Sequence, residues 1–188
     1  PLQGSVTTNA AVGYPYGVLK GTNFIYTNGQ RTVNSLGRYM ATASSAEIIG
    51  DPIPDWLGGL ANTFNYKNIK FNFLIDVRHG GDIFSLDQWY GEGTGLYPNT
   101  AGLNELGVPK RAPTDENGGV ILPGVKEDGS INDIRSSNED GTSTVFGYPN
   151  GPPRAWYVYD GSYVKLREVA LTYSIPSAWI ERLRPLKG

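Results

Sequence analysis

The chain has 188 residues, with 16 Lys and Arg against 18 Asp and Glu, a net charge of −2 and no cysteine. That balance leaves no basic excess for nucleic-acid binding, and the lack of cysteine excludes a disulfide framework and a thiolate metal site. No run of about 18 apolar residues exists, which excludes a transmembrane helix but not membrane-crossing strands, whose only signal is alternation.

With 25 Gly, 13 Pro and 12 Tyr, the composition favours turns and strands over helices. Residues 1–49 are rich in Gly, Tyr, Thr and Asn. They predict a strand over Gly17 to Tyr26 and a tight hairpin turn at Asn28-Gly29, a pair that accepts the positive φ such turns demand. Asp51 to Asp55 then holds two prolines, which fix φ, remove amide donors and end whatever precedes them.

From Trp56 the pattern becomes regular. Leu60, Phe64 and Tyr66 share one parity, and Ala61, Thr63 and Asn65 share the other, which predicts a first strand over Trp56 to Tyr66. After a turn at Tyr66-Lys67-Asn68, the segment from Ile69 to His79 alternates strictly. Ile69, Phe71, Phe73, Ile75 and Val77 lie on one face, and Lys70, Asn72, Asp76 and Arg78 on the other, with only Leu74 breaking the polar face. Successive side chains of a strand point to opposite sides. The apolar face could meet a second sheet in a soluble sandwich, or lipid in an outer-membrane barrel whose lumen takes the charged face. Eleven residues suit a tilted strand crossing a bilayer, which needs about 9–11. Alternation by itself leaves both readings open.

From His79 to about Arg154 no alternation is sustained, although turn signals recur, among them Gly91-Glu92-Gly93, Asn117-Gly118-Gly119, Glu127-Asp128-Gly129 and Asn138-Glu139-Asp140-Gly141. Ser85 to Tyr90 predicts a short helical turn. A structureless stretch of that length argues against a compact soluble domain and fits a barrel, with its short periplasmic turns and long extracellular loops. Arg154 to Ile175 reads as the last strand region. There Tyr163, Val169, Leu171, Tyr173 and Ile175 share a parity that Lys165 and Arg167 interrupt. Pro176 ends it, and Ser177 to Leu183 reads as a short helix or turn.

Little of this supports catalysis. His79 is the only histidine, and no Gly-x-Ser-x-Gly elbow accompanies it, so no catalytic residue and no cofactor are expected. Asp128-Gly129-Ser130-Ile131-Asn132-Asp133 lacks the full calcium-loop spacing, which makes it a turn and leaves no metal site. Trp89, Tyr90, Tyr97, Tyr148, Trp156, Tyr157 and Tyr159 gather in or beside the long loop. Aromatic faces beside polar groups suit stacking on sugar rings or on nonpolar peptide side chains. Trp89, Tyr90, Tyr97, Trp156 and Tyr157 are therefore the candidate substrate-binding residues, with packing within the loop as the alternative.

Gly50, Asp51, Pro54, Asp55, Trp56, Gly58 and Gly59 form a Gly-Asp-x-x-Pro-Asp-Trp-x-Gly-Gly run ahead of a hairpin, and Asp160, Gly161, Ser162, Tyr163, Leu166, Arg167, Leu171, Tyr173 and Pro176 follow in a later strand. In both stretches the chain resembles SusC/RagA-type TonB-linked outer-membrane transporters. The resemblance implies an all-β fold of antiparallel transmembrane strands, part of a barrel of roughly 22 strands, with one long extracellular loop. On that reading 1–49 is a strand and loop region, 50–79 the signature and hairpin, 80–154 the extracellular loop and 155–188 a late strand and turn. The plug domain and last strands then lie outside this chain. Also implied are uptake of oligosaccharides or peptides, a SusD-like lipoprotein partner, the TonB complex, contact with outer-membrane lipid, and lumen-facing Lys70, Asn72, Asp76 and Arg78. The rival reading is a secreted or cell-surface β-rich carbohydrate-binding module that folds by itself.

Overall fold

The computed structural model describes residues 5–137, 145–147 and 151–181. Tyr148, the turn at 138–141 and the end of the chain from 182 lie outside them. In chain order the strands are β1 (Thr7–Asn9), β2 (Val18–Gly21), β3 (Tyr26–Thr27), β4 (Gln30–Val33), β5 (Glu47–Gly50), β6 (Trp56–Tyr66), β7 (Ile69–His79), β8 (Asp82–Phe84), β9 (Val120–Ile121), β10 (Val125–Lys126), β11 (Arg135–Ser136), β12 (Val158–Asp160) and β13 (Tyr163–Tyr173). The helices are α1 (Leu86–Thr94) and α2 (Ser177–Ile180). Strands dominate, and every pairing is antiparallel except that of β10 with β4.

The chain forms two units, one from Pro1–Ile53 with Asp82–Asp160, the other from Pro54–Gly81 with Gly161–Gly188. The first is built from short pieces. β2 lies between β1 and β5, and the β3–β4 hairpin closes on Asn28 and Gly29, at φ 51° and 78°, the two positive values that a tight primed turn needs. The strand expected over Gly17 to Tyr26 is interrupted. Phe24 leaves the ladder, bridges to Ala41 and buries its ring. Its neighbours in the core are Val33, Tyr39, Leu122, Val145 and Phe146, with Val120, Ala155 and Trp156 packed against them.

The stretch read as a structureless loop belongs to this core. α1 starts where Ser85 Oγ accepts the Gln88 amide hydrogen at 3.2 Å, an N-cap that satisfies a free donor. It stops at Gly95, whose φ of 81° and amide bonds to Glu92 and Gly91 carbonyls form a left-handed C-cap. Arg111 adds donors to the carbonyls of Glu92 and Gly93, at 3.3 and 2.7 Å. The region before β13 is also subdivided. Pro152 and Pro153 lead into a 3-10 turn, Arg154–Tyr157, and β12 then pairs with β8.

The second unit is one sheet in the order β13-β7-β6, with all three strands 11 residues long. β6 and β7 pair without a slip from Trp56↔His79 to Tyr66↔Ile69, and Lys67, at φ 51°, makes the turn. Asn68 exchanges hydrogen bonds with Ser174 at 2.8 and 2.9 Å, which ties the end of β13 to that turn.

Candidate functional site

The sheet of the second unit has two chemically distinct faces. Register places Leu60, Phe64 and Tyr66 with Ile69, Phe71, Phe73, Ile75 and Val77, and the Phe64, Phe71 and Phe73 rings lie 6.0–6.4 Å apart. On β13 the parity changes at a bulge between Leu166 and Glu168. One extra residue in a strand reverses the facing of everything beyond it. Val164 and Leu166 therefore join Val169, Leu171 and Tyr173 on the apolar face, while Tyr163 and Lys165 turn to the polar one. This corrects the sequence parity, which set Tyr163 with Val169 and left Lys165 and Arg167 among apolar neighbours. Among the described residues of the unit nothing covers the apolar face: Leu171 is 72% exposed and Leu166 59%.

The polar face carries two hydrogen-bonded groups that join β7 to β13. Asp76 Oδ2 accepts hydrogen bonds from Tyr163 Oη at 2.9 Å and Arg167 Nε at 3.0 Å, with Arg167 Nη2 also at 3.0 Å. Asn72 Nδ2 donates to Glu168 Oε1 at 2.7 Å. Lys70, Asn72, Asp76 and Arg78 thus share a face, as their alternation predicts, and β13 supplies Tyr163, Arg167 and Glu168 to it. Those partners escape sequence reading because a bulge has no local signature. At the end of the sheet away from its turn, the Trp56 and His79 rings stack with centroids 5.8 Å apart, and His79 Nδ1 lies 3.2 Å from Asp55 Oδ2.

In the first unit the five candidate aromatic residues separate. Trp89 and Tyr157 are buried, at 4% and 0% exposure, so they hold the unit together. Tyr157 Oη accepts the Gly147 amide hydrogen at 2.8 Å and shares a hydrogen bond with the Glu92 carboxylate. Burial first, and then the Glu92 charge, push its phenol far above the usual tyrosine range. Tyr90 is exposed. The Tyr97 hydroxyl donates to Asp87 Oδ2, and that bond raises its pKa. Trp156 is half-buried against Phe24 and Tyr39, with the Arg31 guanidinium 5.0 Å from its ring centre.

Beside them runs a cleft of about 490 Å³ lined by Arg31, Gln88, Glu92, Asn99, Trp156 and Tyr159. Glu92 is only 3% exposed, and Asn99 Nδ2 donates to its Oε1 at 2.8 Å. The sequence signal there, Gly91-Glu92-Gly93, reads as a turn and conceals a helical carboxylate. The Asp128 loop is a turn: Asp128 Oδ1 accepts from Ser130 N and Oγ at 2.9 and 2.6 Å, bonds that lower its pKa. Among the described residues no group of three or more His, Cys, Asp or Glu could hold a metal ion.

No protein-family model matches the chain. Three proteins of Formosa agariphila do. TonB-dependent receptor P26 is 25% identical over 193 residues, 93% of this chain and 17% of the receptor. TonB-dependent receptor P3 is 28% identical over 179 residues, covering 89% and 15%, and TonB-dependent receptor P39 is 24% identical over 167 residues, covering 88% and 14%. The chain is a homologue of TonB-dependent receptors. It spans about one sixth of the length of these relatives, and the match takes in both units.

Proposed function

We propose that the chain is part of a TonB-dependent outer-membrane nutrient importer of the SusC/RagA type, in which β6, β7 and β13 are neighbouring barrel strands. The supporting observation is the two-faced sheet. Its apolar side runs across three strands once the bulge is counted, interrupted within β6 by Asn62 opposite Phe73, and its other side carries both signs of charge. A barrel needs that division, with lipid outside and a polar lumen inside.

The dimensions agree. Tyr66 and Tyr173 both pair with Ile69 at the turn end, and Trp56 stands at the other end of β6. These aromatic residues lie about ten residue rises apart, roughly 33 Å along the strand. At a tilt near 45° that spans about 23 Å, close to the ~25 Å apolar band flanked by aromatic girdles in such barrels.

On this reading Lys70, Asn72, Asp76 and Arg78 face the lumen and meet the plug or the passing substrate. The chain runs from the sheet into the first unit at Trp56, His79 and Tyr163, away from the short Lys67-Asn68 turn, so the first unit comprises extracellular segments. It contributes to capture of an oligosaccharide or peptide together with a SusD-like lipoprotein, while the TonB complex acts through other parts of the receptor. The chain's role is transport, without catalysis.

The test is nutrient uptake by cells carrying the intact receptor. Asp76→Lys is expected to leave outer-membrane assembly intact and to alter uptake, which should cease when TonB is absent. Unchanged assembly together with unchanged uptake in Asp76→Lys would count against the lumen assignment.

A further inference from the structure

We infer that the cleft lined by Gln88, Glu92, Asn99 and Tyr159 takes the ring of a neutral sugar, which makes the captured ligand an oligosaccharide rather than a peptide. This deepens the import reading above and rests on it only for the fate of the ligand after binding.

The first argument is an unmet hydrogen bond. Gln88 Oε1 is buried and has no partner among the described residues, and a buried polar atom left in that state carries its whole desolvation cost. Whichever way the amide is turned, a hydroxyl meets the need, because it both donates and accepts. Glu92 adds a buried carboxylate that Asn99 and the Tyr157 hydroxyl already engage in part. A carboxylate has about four acceptor sites, so it can also take hydroxyl donors, and hydrogen bonds to a charged acceptor are the stronger kind.

The second argument is charge and shape. Arg31 and Glu92 bring one charge of each sign, so the cleft favours a ligand of no net charge. Tyr159 is 39% exposed at its edge and offers an amphipathic ring suited to the C–H face of a sugar. Its volume lies within the ~300–1,000 Å³ of small-molecule sites. A peptide is held instead by main-chain pairing along a free strand edge or by apolar pockets for alternate side chains, whereas this cleft presents carboxylate, amide and guanidinium groups.

The test uses the intact receptor in detergent, probed on an array of neutral and acidic oligosaccharides and with a mixed oligopeptide digest, followed by calorimetry on the best ligand. Neutral oligosaccharides should bind. Gln88→Ala and Tyr159→Ala should each weaken that binding about tenfold. Gln88→Ala should leave the melting temperature equal or higher, because it removes an unsatisfied acceptor rather than a contact. Preference for peptides or acidic glycans, no neutral ligand on the array, or unchanged affinity in both variants would each overturn the inference. If uptake is TonB-dependent yet both variants bind like the parent, the cleft assignment falls and the import reading stands. If the variants lose sugar and uptake does not need TonB, the reverse holds.

Discussion

The two units of this chain bury opposite things. In the first, Val6, Val18, Val33, Val145 and Tyr157 are at most 2% exposed, and every buried hydrophobic side chain among the described residues belongs to it. In the second, three strands of 11 residues leave Phe64, Leu60, Leu166, Val169 and Leu171 more than half exposed. Fully burying one such side chain is worth about 1.5–3 kcal/mol, so the first unit has already drawn on that driving force and the second has not. An apolar face of that extent is uncommon on a monomeric soluble protein. The first unit folds on itself. The sheet leaves its apolar face open, and on the proposed reading lipid covers it.

The contrast breaks most sharply if charge is placed on the apolar face. Phe73→Arg at the middle of β7 should cost ~2–4 kcal/mol where the strand crosses the bilayer midplane, and the intact receptor should fail to reach its heat-resistant folded form on electrophoresis. Lys70→Arg, one face away, should assemble normally. In the first unit, Tyr157→Phe removes the buried hydroxyl that accepts the Gly147 amide hydrogen and bonds the Glu92 carboxylate. A loss of ~1–3 kcal/mol is expected, read as faster limited proteolysis within 82–160 with barrel assembly unchanged.

Alkaline titration sharpens the same comparison. Burial raises the phenol pKa of Tyr39, Tyr157 and Tyr159 in the first unit. The folded form resists ionisation that the unfolded chain undergoes near pH 10, so this stability is complete below about pH 10 and is lost as pH rises further. Far-ultraviolet and near-ultraviolet dichroism should show tertiary signal lost above that pH while the sheet persists, and Tyr157→Phe should reduce the change. The smallest effect is expected at Asn28-Gly29. Gly29→Ala places a side chain at φ 78°, where a residue other than glycine is strained by ~1–2 kcal/mol; thermal unfolding should shift by a few degrees.

Much of the sheet was legible in the chain. β6 and β7 start and stop where alternation and the Pro-Asp-Trp and Lys67-Asn68 signals put them, and Asn28-Gly29 makes the turn its two residues demand. Helix α1 begins at Ser85 as read and runs four residues beyond Tyr90, because the turn-like glycines at 91 and 93 lie within it. The parity of β13 was misleading for a physical reason. A single inserted residue at 167 flips the facing of 163–166, and pairing with β7 alone reveals it. The first unit was the least legible, since its core joins pieces far apart in the chain, as where Thr22 accepts the Ala155 amide hydrogen at 3.1 Å. Trp89 and Tyr157 resembled ligand contacts for the same reason: without periodicity, aromatic residues that fill a core and those that line a cleft read alike. Gln88, Glu92 and Asn99 gained a role only when α1 and its neighbours brought them to one cleft.

The central claim is that β7 and β13 turn one face to lipid and the other to an aqueous lumen. It is tested most directly by single cysteines at each position from Ile69 to His79 and from Tyr163 to Tyr173, in an intact receptor with no competing thiol. Each is labelled with a small fluorophore and reconstituted in vesicles containing brominated phospholipid. Quenching should be strong at 69, 71, 73, 75 and 77 and weak at 70, 72, 76 and 78. On β13 it should be strong at 164, 166, 169, 171 and 173, with adjacent weak positions at 167 and 168 marking the bulge. Uniform quenching along both strands, or none at any position, would contradict the account.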